Sequence, residues 1–220
     1  MPIPAKYLAD FEEGNIYHVY NRTNNLEKLF LSDENRFFFL KRYNELLSPF
    51  IDTFCWTLLP NHFHLLVRIK PNTDILRNLE ASDAKELTLT EKKFMDNILP
   101  MGELIEQAFK RFFQSYSLAF NKMHNRKGNL FYKPFKRVLV EKESHFTQTI
   151  IYIHANPLKH HIVKDFTSYK WSSWKTLLSD SPTHLLRKEV IEWFGSRELL
   201  IKTHAELIQY YYESDISIED

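Results

Sequence analysis

Alternating and helical patterns of apolar residues divide most of the chain into short strands and amphipathic helices. Runs rich in β-branched and aromatic residues predict strands. Apolar residues that recur every three or four positions predict helices. The strands are predicted at 16–20, 53–59, 62–69 and 130–140, and the helices at 33–47, 102–125, 144–156, 185–194 and 197–213.

The order of these elements, β-α-β-β-α-β-α, predicts an α+β fold. It is typical of a ferredoxin- or RRM-like split βαβ sandwich, in which helices cover one face of an antiparallel sheet. Pro134 interrupts the fourth strand and favours an edge position or a bulge. Residues 70–100 are charged and poorly patterned, which predicts an insertion or mobile connection.

Composition indicates a globular protein. The chain has 220 residues, of which 44% are hydrophobic and 15% aromatic, so an intrinsically disordered protein is excluded. A single cysteine, Cys55, excludes an internal disulfide framework and is typical of a reducing cytoplasm. The N-terminus has no secretory pattern, and no apolar run approaches the roughly 20 residues that cross a bilayer. We therefore expect a cytoplasmic protein with no membrane partner.

Charge is unevenly distributed although the net charge is only +1. Residues 107–142 contain nine Lys or Arg and one acid, a balance of nine minus one, or +8. Residues 189–220 contain eight acids and two basic residues, or −6. A basic stretch inside a nearly neutral chain predicts a polyanion site, with a solvated basic face as the alternative.

Two histidines stand in alternation on the third predicted strand. His62 and His64 point to one face, whereas Phe63 points to the hydrophobic layer with Leu65 and Val67. Two residues of strand separate the histidine Cα atoms by about 7 Å, which lets both imidazoles reach one metal ion. The alternative is a pair of surface histidines.

The helix predicted at 144–156, capped by Ser144, carries a second polar group. Phe146, Ile150 and Ile153 form its apolar stripe. A separate arc is wholly polar and brings a hydroxyl and an amide together at i and i+4. The alternative is a half-buried tyrosine and a C-terminal cap, because Pro157 predicts that the helix ends near residue 156. The polar arc comprises His145, Gln148, Thr149, Tyr152 and Asn156.

Two sequence blocks resemble the signatures of the single-tyrosine HUH transposases. They are LPNHFHLL at 59–66 and YIHANP at 152–157, and the resemblance is greatest to the REP-associated tyrosine transposases. The segments YHVYNR at 17–22, GNLF at 128–131 and WSS at 171–173 also fit this family. The resemblance covers about residues 14–175. It implies a transposase domain at 1–175, followed by an acidic helical extension at 176–220.

The resemblance implies an enzymatic mechanism. His62, His64 and the side-chain carbonyl of Asn156 would bind a divalent metal, Mg²⁺ or Mn²⁺, and two imidazoles favour Mn²⁺. Tyr152 would attack the scissile phosphorus and form a 5′-phosphotyrosine link. A metal-bound hydroxide, His18 and His154 are open alternatives for the base that takes the phenolic proton.

The implied substrate is single-stranded or hairpin DNA, and the implied setting is a bacterial-type cytoplasm. The resemblance also implies that a homodimer is possible, because members of the family dimerise. A monomer stays open as the alternative. Two other functions stay open: a catalytically silent single-strand binding module, and a metal-dependent hydrolase that uses water. Basic residues interleaved with aromatic ones suit phosphate neutralisation and base stacking. The predicted DNA-binding residues are Arg22, Lys110, Arg111, Lys133, Lys136 and Arg137.

Overall fold

A four-stranded antiparallel sheet forms the centre of the protein. The computed structural model describes residues 4–24 and 27–213. Within them, the strands lie in the order β2-β3-β1-β4, so β4 is an edge strand, as Pro134 predicts. The strands are β1 (Ile16–Arg22), β2 (Ile51–Leu58), β3 (His62–Ile69) and β4 (Lys136–Leu139).

Helices account for about half of the protein. The predicted α+β class, with its antiparallel sheet and C-terminal helices, is confirmed. No helix of the described residues is long and apolar enough to cross a membrane. The helices are α1 (Asp33–Leu47), α2 (Asn72–Glu80), α3 (Leu89–Met95), α4 (Met101–Met123), α5 (Glu143–Lys159), α6 (Trp174–Leu178), α7 (Arg187–Phe194) and α8 (Arg197–Glu213).

One face of the sheet packs against α1 and α4. Phe63, Leu65 and Val67 of β3 are fully buried there, as their alternation predicts. Phe39 of α1 lies 5.1 Å from Phe63 and 4.8 Å from Phe112 of α4, between ring centroids. This aromatic layer fixes which side of β3 is left for the histidines.

The opposite face, which the prediction left open, is partly covered by α5 and the C-terminal helices. Phe54 and Leu66 point to this side and pack with Phe146 and Ile150 of α5. Leu200 of α8 belongs to the same apolar cluster. Helices therefore lie on both faces, because the second face also carries apolar residues that would otherwise contact water.

The segment at 70–100 contains two short helices that the sequence pattern did not predict. Ile75 and Leu79 of α2 and Phe94 of α3 are buried in the core on the α1 and α4 side. α3 begins with a capping box between Thr88 and Glu91. α2 has nine residues and α3 seven, fewer than the roughly 11 to 18 over which a helical period is usually recognised.

The bounds of α5 differ from the prediction at both ends. The helix begins at Glu143 with Lys142 as its N-cap, so the predicted cap at Ser144 was wrong. It continues through Pro157 to Lys159, beyond the predicted end at residue 156. Pro157 removes one donor near the end of the helix, yet the next turn still closes because the His160 N–H donates to the Asn156 carbonyl over 2.9 Å.

The C-terminal extension packs onto the rest of the protein through α7 and α8. Val190 of α7 and Leu200 of α8 are fully buried against α5. The division into residues 1–175 and 176–220 stays a prediction. Residues 214–220 of the acidic tail lie outside the described residues.

Candidate active site

Pairing between β1 and β3 assembles a cluster of imidazoles on one face of the sheet. The register pairs Tyr20 with His64 and Arg22 with His62. His18 lies on the same face, since it is two residues from Tyr20 along the strand. Its Nε2 is 2.9 Å from Nδ1 of His64, and both side chains are buried. The sheet therefore places a third histidine beside the predicted pair.

His62 and His64 are near neighbours with fixed ring orientations. Their ring centroids are 5.1 Å apart with the planes almost perpendicular, at 89°. His62 Nδ1 lies 2.7 Å from the Asn61 Oδ1. Because an amide oxygen only accepts, His62 carries its proton on Nδ1, and Nε2 holds the lone pair. This tautomer suits coordination through Nε2.

Tyr152 faces the imidazole cluster from α5. Its ring centroid lies 5.8 Å from that of His64 and 6.0 Å from that of His18, both edge to face. The side chain is only 1% exposed. The apolar stripe of α5 packs as predicted, with Phe146, Ile150 and Ile153 buried. Of the predicted polar arc, Thr149, Tyr152 and Asn156 are also buried, whereas Gln148 is exposed.

Asn156 lies one turn beyond Tyr152 and presents a buried oxygen. Its Nδ2 donates to the Tyr152 carbonyl over 2.9 Å. Its Oδ1 is buried and has no hydrogen-bond partner among the described residues. A buried oxygen without a donor is costly unless a cation or water satisfies it. The Asn156 Oδ1 is therefore available to accept from a water molecule or to bind a cation.

A metal site built only from His, Cys, Asp and Glu is not present in the described part of the chain, where no group of three or more such residues is suitably arranged. A site at this cluster would combine imidazole nitrogens with the amide oxygen of Asn156. Mixed nitrogen and oxygen donors suit Mn²⁺, and the assignment of Asn156 as the third ligand stays a prediction.

Sequence reasoning missed two residues of the cluster. Tyr20 lies 5.6 Å from His64 between ring centroids, and His160 lies 4.7 Å from His62. The available signal was spacing: Tyr20 follows His18 by two residues on a strand, and His160, the C-cap of α5, follows Asn156 by four residues. Lys159 also approaches, with Nζ 5.8 Å from the centre of the Tyr152 ring.

The predicted DNA-binding residues divide between two regions. Arg22 and Lys136 lie on the histidine face, where Lys136 Nζ is 5.5 Å from the Tyr20 ring. Lys133 is exposed just before β4. Lys110 and Arg111 are on α4, across the sheet: Lys110 is paired with Glu106 at 2.7 Å and Arg111 with Glu91 at 2.9 Å.

Arg137 is a buried structural residue in this fold. Only 6% of it is exposed. Nε donates to the Ala9 carbonyl over 2.6 Å, and Nη2 donates to Glu106 over 3.0 Å. The guanidinium also lies over the Phe11 and Phe135 rings. These contacts commit the side chain to packing and do not favour its predicted contact with phosphate.

Comparison with known proteins gives one informative result. The chain matches no protein-family model and no curated protein. Among solved structures, it is similar to a REP-associated tyrosine transposase bound to a REP hairpin, with a TM-score of 0.54 and 15% identity. The match covers 83% of this chain and 89% of that one. The two chains share a fold.

The similarity supports the architecture that the sequence resemblance implies. At 15% identity it shows the fold alone. The roles of Tyr152, His62, His64 and Asn156, and of the DNA-binding residues, therefore stay predictions. What the transposase fold adds is a sheet and a crossing helix that can present these side chains to one another.

His154 points away from the cluster, although it lies on the same helix as Tyr152. Its Nδ1 is 3.0 Å from Nε2 of His204 on α8, and its Nε2 is 2.9 Å from the Ser173 hydroxyl. His204 Nδ1 is 2.8 Å from the Leu200 carbonyl, which can only accept, so His204 is protonated on Nδ1. His154 therefore donates to His204 and accepts from Ser173.

This directed chain of hydrogen bonds connects α5 to the C-terminal extension. Ser173 in turn accepts from the Trp56 N–H over 2.9 Å, so the chain extends to β2. Burial and the neighbouring His204 hold the pKa of His154 well below its usual value. The structure thus keeps His18 in the site and places His154 outside it, which removes His154 as the base for Tyr152.

The buried His204 predicts a loss of stability in acid. Burial lowers the pKa of His204 from 6.5 to about 4. An unfolded chain binds this proton near pH 6.5, whereas the folded protein does so only near pH 4. The free energy of unfolding therefore falls as the pH decreases through this interval, by about 1.4 kcal/mol per unit for this one group.

Urea denaturation between pH 7 and 4 measures this effect. We expect His204→Gln, which keeps an acceptor for His154 but does not titrate, to reduce the slope. His184→Gln changes an exposed histidine of the extension and should leave the slope unchanged. Equal slopes for His204→Gln and the parent protein would contradict the assignment.

Proposed function

We propose that this protein is a metal-dependent transferase that cuts and rejoins single-stranded DNA, as the single-tyrosine HUH transposases do. The observation that carries the proposal is the position of Tyr152, whose ring lies 5.8 Å from that of His64 while Asn156 presents a buried oxygen one turn away. The fold shared with a REP-associated tyrosine transposase supports the same reading.

The metal would be held by His62, His64 and Asn156. A proton on His62 Nδ1 places the lone pair on Nε2, which can then coordinate a divalent cation. The Asn156 Oδ1 is buried with no hydrogen-bond partner among the described residues, which also suits coordination. With His64 coordinating through Nε2, its Nδ1–H donates to His18, which then orients the ring. When bound, Mn²⁺ or Mg²⁺ supplies Lewis-acid polarisation of the phosphoryl oxygen.

Tyr152 performs the covalent step. Its phenolic oxygen bonds to the scissile phosphorus, the P–O3′ bond breaks, and the phenolic proton is lost to a base. The leaving 3′ oxygen takes up a proton and becomes a 3′-OH, while the 5′-phosphate stays on the tyrosine. The phosphodiester energy is kept in this link, so attack by another 3′-OH rejoins DNA without ATP.

The substrate is single-stranded or hairpin DNA. In-line attack needs a strand whose phosphate can be approached from one side, which a stacked duplex resists. The structural neighbour was solved with a REP hairpin. Arg22 and Lys136 lie on the histidine face and would neutralise phosphates next to the cut site. Tyr152 and His64 of one chain already adjoin, so the proposal needs no partner subunit.

A denaturing gel tests the proposal. The protein is incubated with Mn²⁺ and hairpin DNA that has single-stranded flanks and a label at its 3′ end. The tyrosine mechanism leaves label covalently attached to the protein. Free cut ends without an adduct would indicate hydrolysis by water. Binding in a native gel with neither product would indicate a catalytically silent module.

The contact between His18 and His64 predicts a contribution to metal affinity. His18→Ala removes the acceptor that fixes the His64 tautomer and ring. Loss of such an orienting partner costs roughly 10- to 100-fold in metal affinity. Mn²⁺ titration by calorimetry, without DNA, measures the change, and His184→Ala is the control. Unchanged Mn²⁺ affinity for His18→Ala would remove His18 from this role.

A further inference from the structure

A groove lies between α4 and the segment at 128–135 that leads to β4. Its volume is about 740 Å³. Ligand sites in proteins are usually about 300–1,000 Å³, so the groove is large enough for a small organic group. Its buried aromatic residues belong to the core on the α4 side of the sheet. None of the four residues assigned to the reaction lines it.

The lining combines an aromatic floor with amide and hydroxyl groups on the walls. Phe113, Phe131 and Phe135 form the buried floor. Gln114 on α4 and Asn129 on the opposite wall are exposed to the groove. Amide side chains both donate and accept hydrogen bonds, as do the edges of nucleobases. This pattern suits a flat heterocycle better than an aliphatic chain or a bare anion.

The wall at 128–129 is held in place by hydrogen bonds. The Asn121 Nδ2 donates to the Gly128 carbonyl over 2.9 Å. Arg126 donates to the Gly128 and Asn129 carbonyls, over 3.2 and 3.0 Å, and also pairs with Glu27 at 2.6 Å. A wall fixed in this way reduces the ordering cost that binding would otherwise incur.

Tyr132 connects the groove to the candidate active site. Its side chain is 44% exposed, which is unusual for so large a ring, and the Arg22 guanidinium lies 5.4 Å from the ring centre. The Tyr132 N–H donates to the Arg22 carbonyl over 2.8 Å. Arg22 is in turn the strand partner of His62. A DNA strand that extends from the imidazole cluster past Arg22 would therefore reach Tyr132 next.

The charge around the groove favours a polyanionic ligand. Lys133 lines it, and Lys127 on the same loop is also exposed. Lys110 and Arg137 also line the groove, and both pair with Glu106, the acid in the lining, so the lining keeps an excess of positive charge. An exposed aromatic ring among cations is the arrangement that single-strand binding proteins use for base stacking and phosphate neutralisation. A paired base has its edge occupied, so only an unpaired one can enter.

We propose that this groove binds an unpaired nucleobase of the strand that Tyr152 cuts, with Tyr132 as the stacking ring. The inference rests on the proposed function for the identity of the strand, and it adds a binding subsite outside the reaction centre. Gln114 and Asn129 would contact the edge of the base. The subsite would hold the strand in register on the single-stranded flank of a hairpin.

Fluorescence of 2-aminopurine tests the subsite. The probe is hairpin DNA in which each base of the single-stranded flank is replaced in turn by 2-aminopurine, and Tyr152→Phe protein prevents cutting. We expect quenching at one flank position, its loss when Tyr132→Ala is added, and its retention with Tyr132→Phe. Loss of one stacked base should lower affinity for the flank about five- to a hundredfold.

Lys127→Ala provides the matched control on the same loop. Lys127 does not line the groove, so this change should weaken binding only slightly and leave the quenching intact. Annealing a complementary strand to the flank should remove the additional quenching that the protein causes, because the base is then paired. Identical emission at every position for Tyr132→Ala and its parent would overturn the subsite.

The adduct assay separates this proposal from the proposed function. Quenching that depends on Tyr132, in a protein that forms no adduct when Tyr152 is present, would refute the transferase and keep the subsite. An adduct that forms equally with Tyr132→Ala, without position-dependent quenching, would refute the subsite and keep the transferase.

Discussion

Tyr152→Phe is expected to abolish the covalent protein–DNA adduct while DNA binding persists. The substitution removes only the phenolic oxygen, and the ring still fills its place against His64 and His18. Removal of a nucleophile lowers the rate on the order of a thousandfold or more. Adduct formation on a denaturing gel measures the loss, and fluorescence anisotropy with labelled hairpin DNA measures binding.

Tyr20→Phe is the matched control, because it removes a hydroxyl from a second ring in the same cluster. We expect the adduct to form with this variant. If Tyr152→Phe still forms an adduct, the nucleophile is another residue. If adduct formation fails with both variants, the loss reflects the cluster as a whole and not the attacking oxygen.

His64→Ala is expected to eliminate metal-dependent cleavage. One imidazole and one amide oxygen hold a divalent cation poorly, and the change also removes the contact between His64 and His18. Since disturbing an orienting partner already costs 10- to 100-fold, loss of a ligand should lower Mn²⁺ affinity by roughly a hundredfold or more. Calorimetry of Mn²⁺ binding and the adduct assay measure the two effects.

His145→Ala, on the first turn of α5, tests whether any histidine near the site has this effect. It should bind Mn²⁺ and form the adduct as the parent protein does. Because His64 is fully buried, thermal denaturation of both variants is used to check that they are folded. Normal Mn²⁺ affinity in a folded His64→Ala protein would exclude His64 as a ligand.

The sequence predicted side-chain directions best in elements that combine a regular apolar period with one buried face. Alternation on β3 predicted that Phe63 and His64 point in opposite directions, and the helical period of α5 predicted the burial of Ile150 and Ile153. Both predictions need only local geometry. The α+β class followed because the order of strands and helices limits how a sheet can be built.

Contacts between distant elements could not be predicted in this way. The pairing of β1 with β3 brings His18 to His64, 46 positions along the chain, and register is not encoded in either strand alone. A helical period also does not determine which single residues are buried. Phe37 fits the helical period of α1 but is 59% exposed, whereas Phe39 is fully buried. Tertiary packing decides between neighbours that a periodic pattern cannot separate.

Arg137 shows the same limit for charge. A basic residue in a basic stretch was a reasonable phosphate contact. The strand places it toward the core, where Glu106 and the Ala9 carbonyl accept its hydrogen bonds. Among the residues that the structure describes, four of the nine basic ones at 107–142 form ion pairs with acidic side chains: Lys110, Arg111, Arg126 and Arg137. The net charge of this stretch therefore overstates how many of its basic residues can contact DNA.

The link between His154 and His204 bears on where the folding unit ends. The predicted transposase-like domain ends near residue 175, but a fragment ending there would lack α8 and leave the imidazole N–H of His154 without an acceptor in an apolar interior. The helix that carries Tyr152 would lose its outer support. Truncation for crystallisation or NMR should therefore retain the chain through residue 208, since α8 contributes to the rigidity of α5.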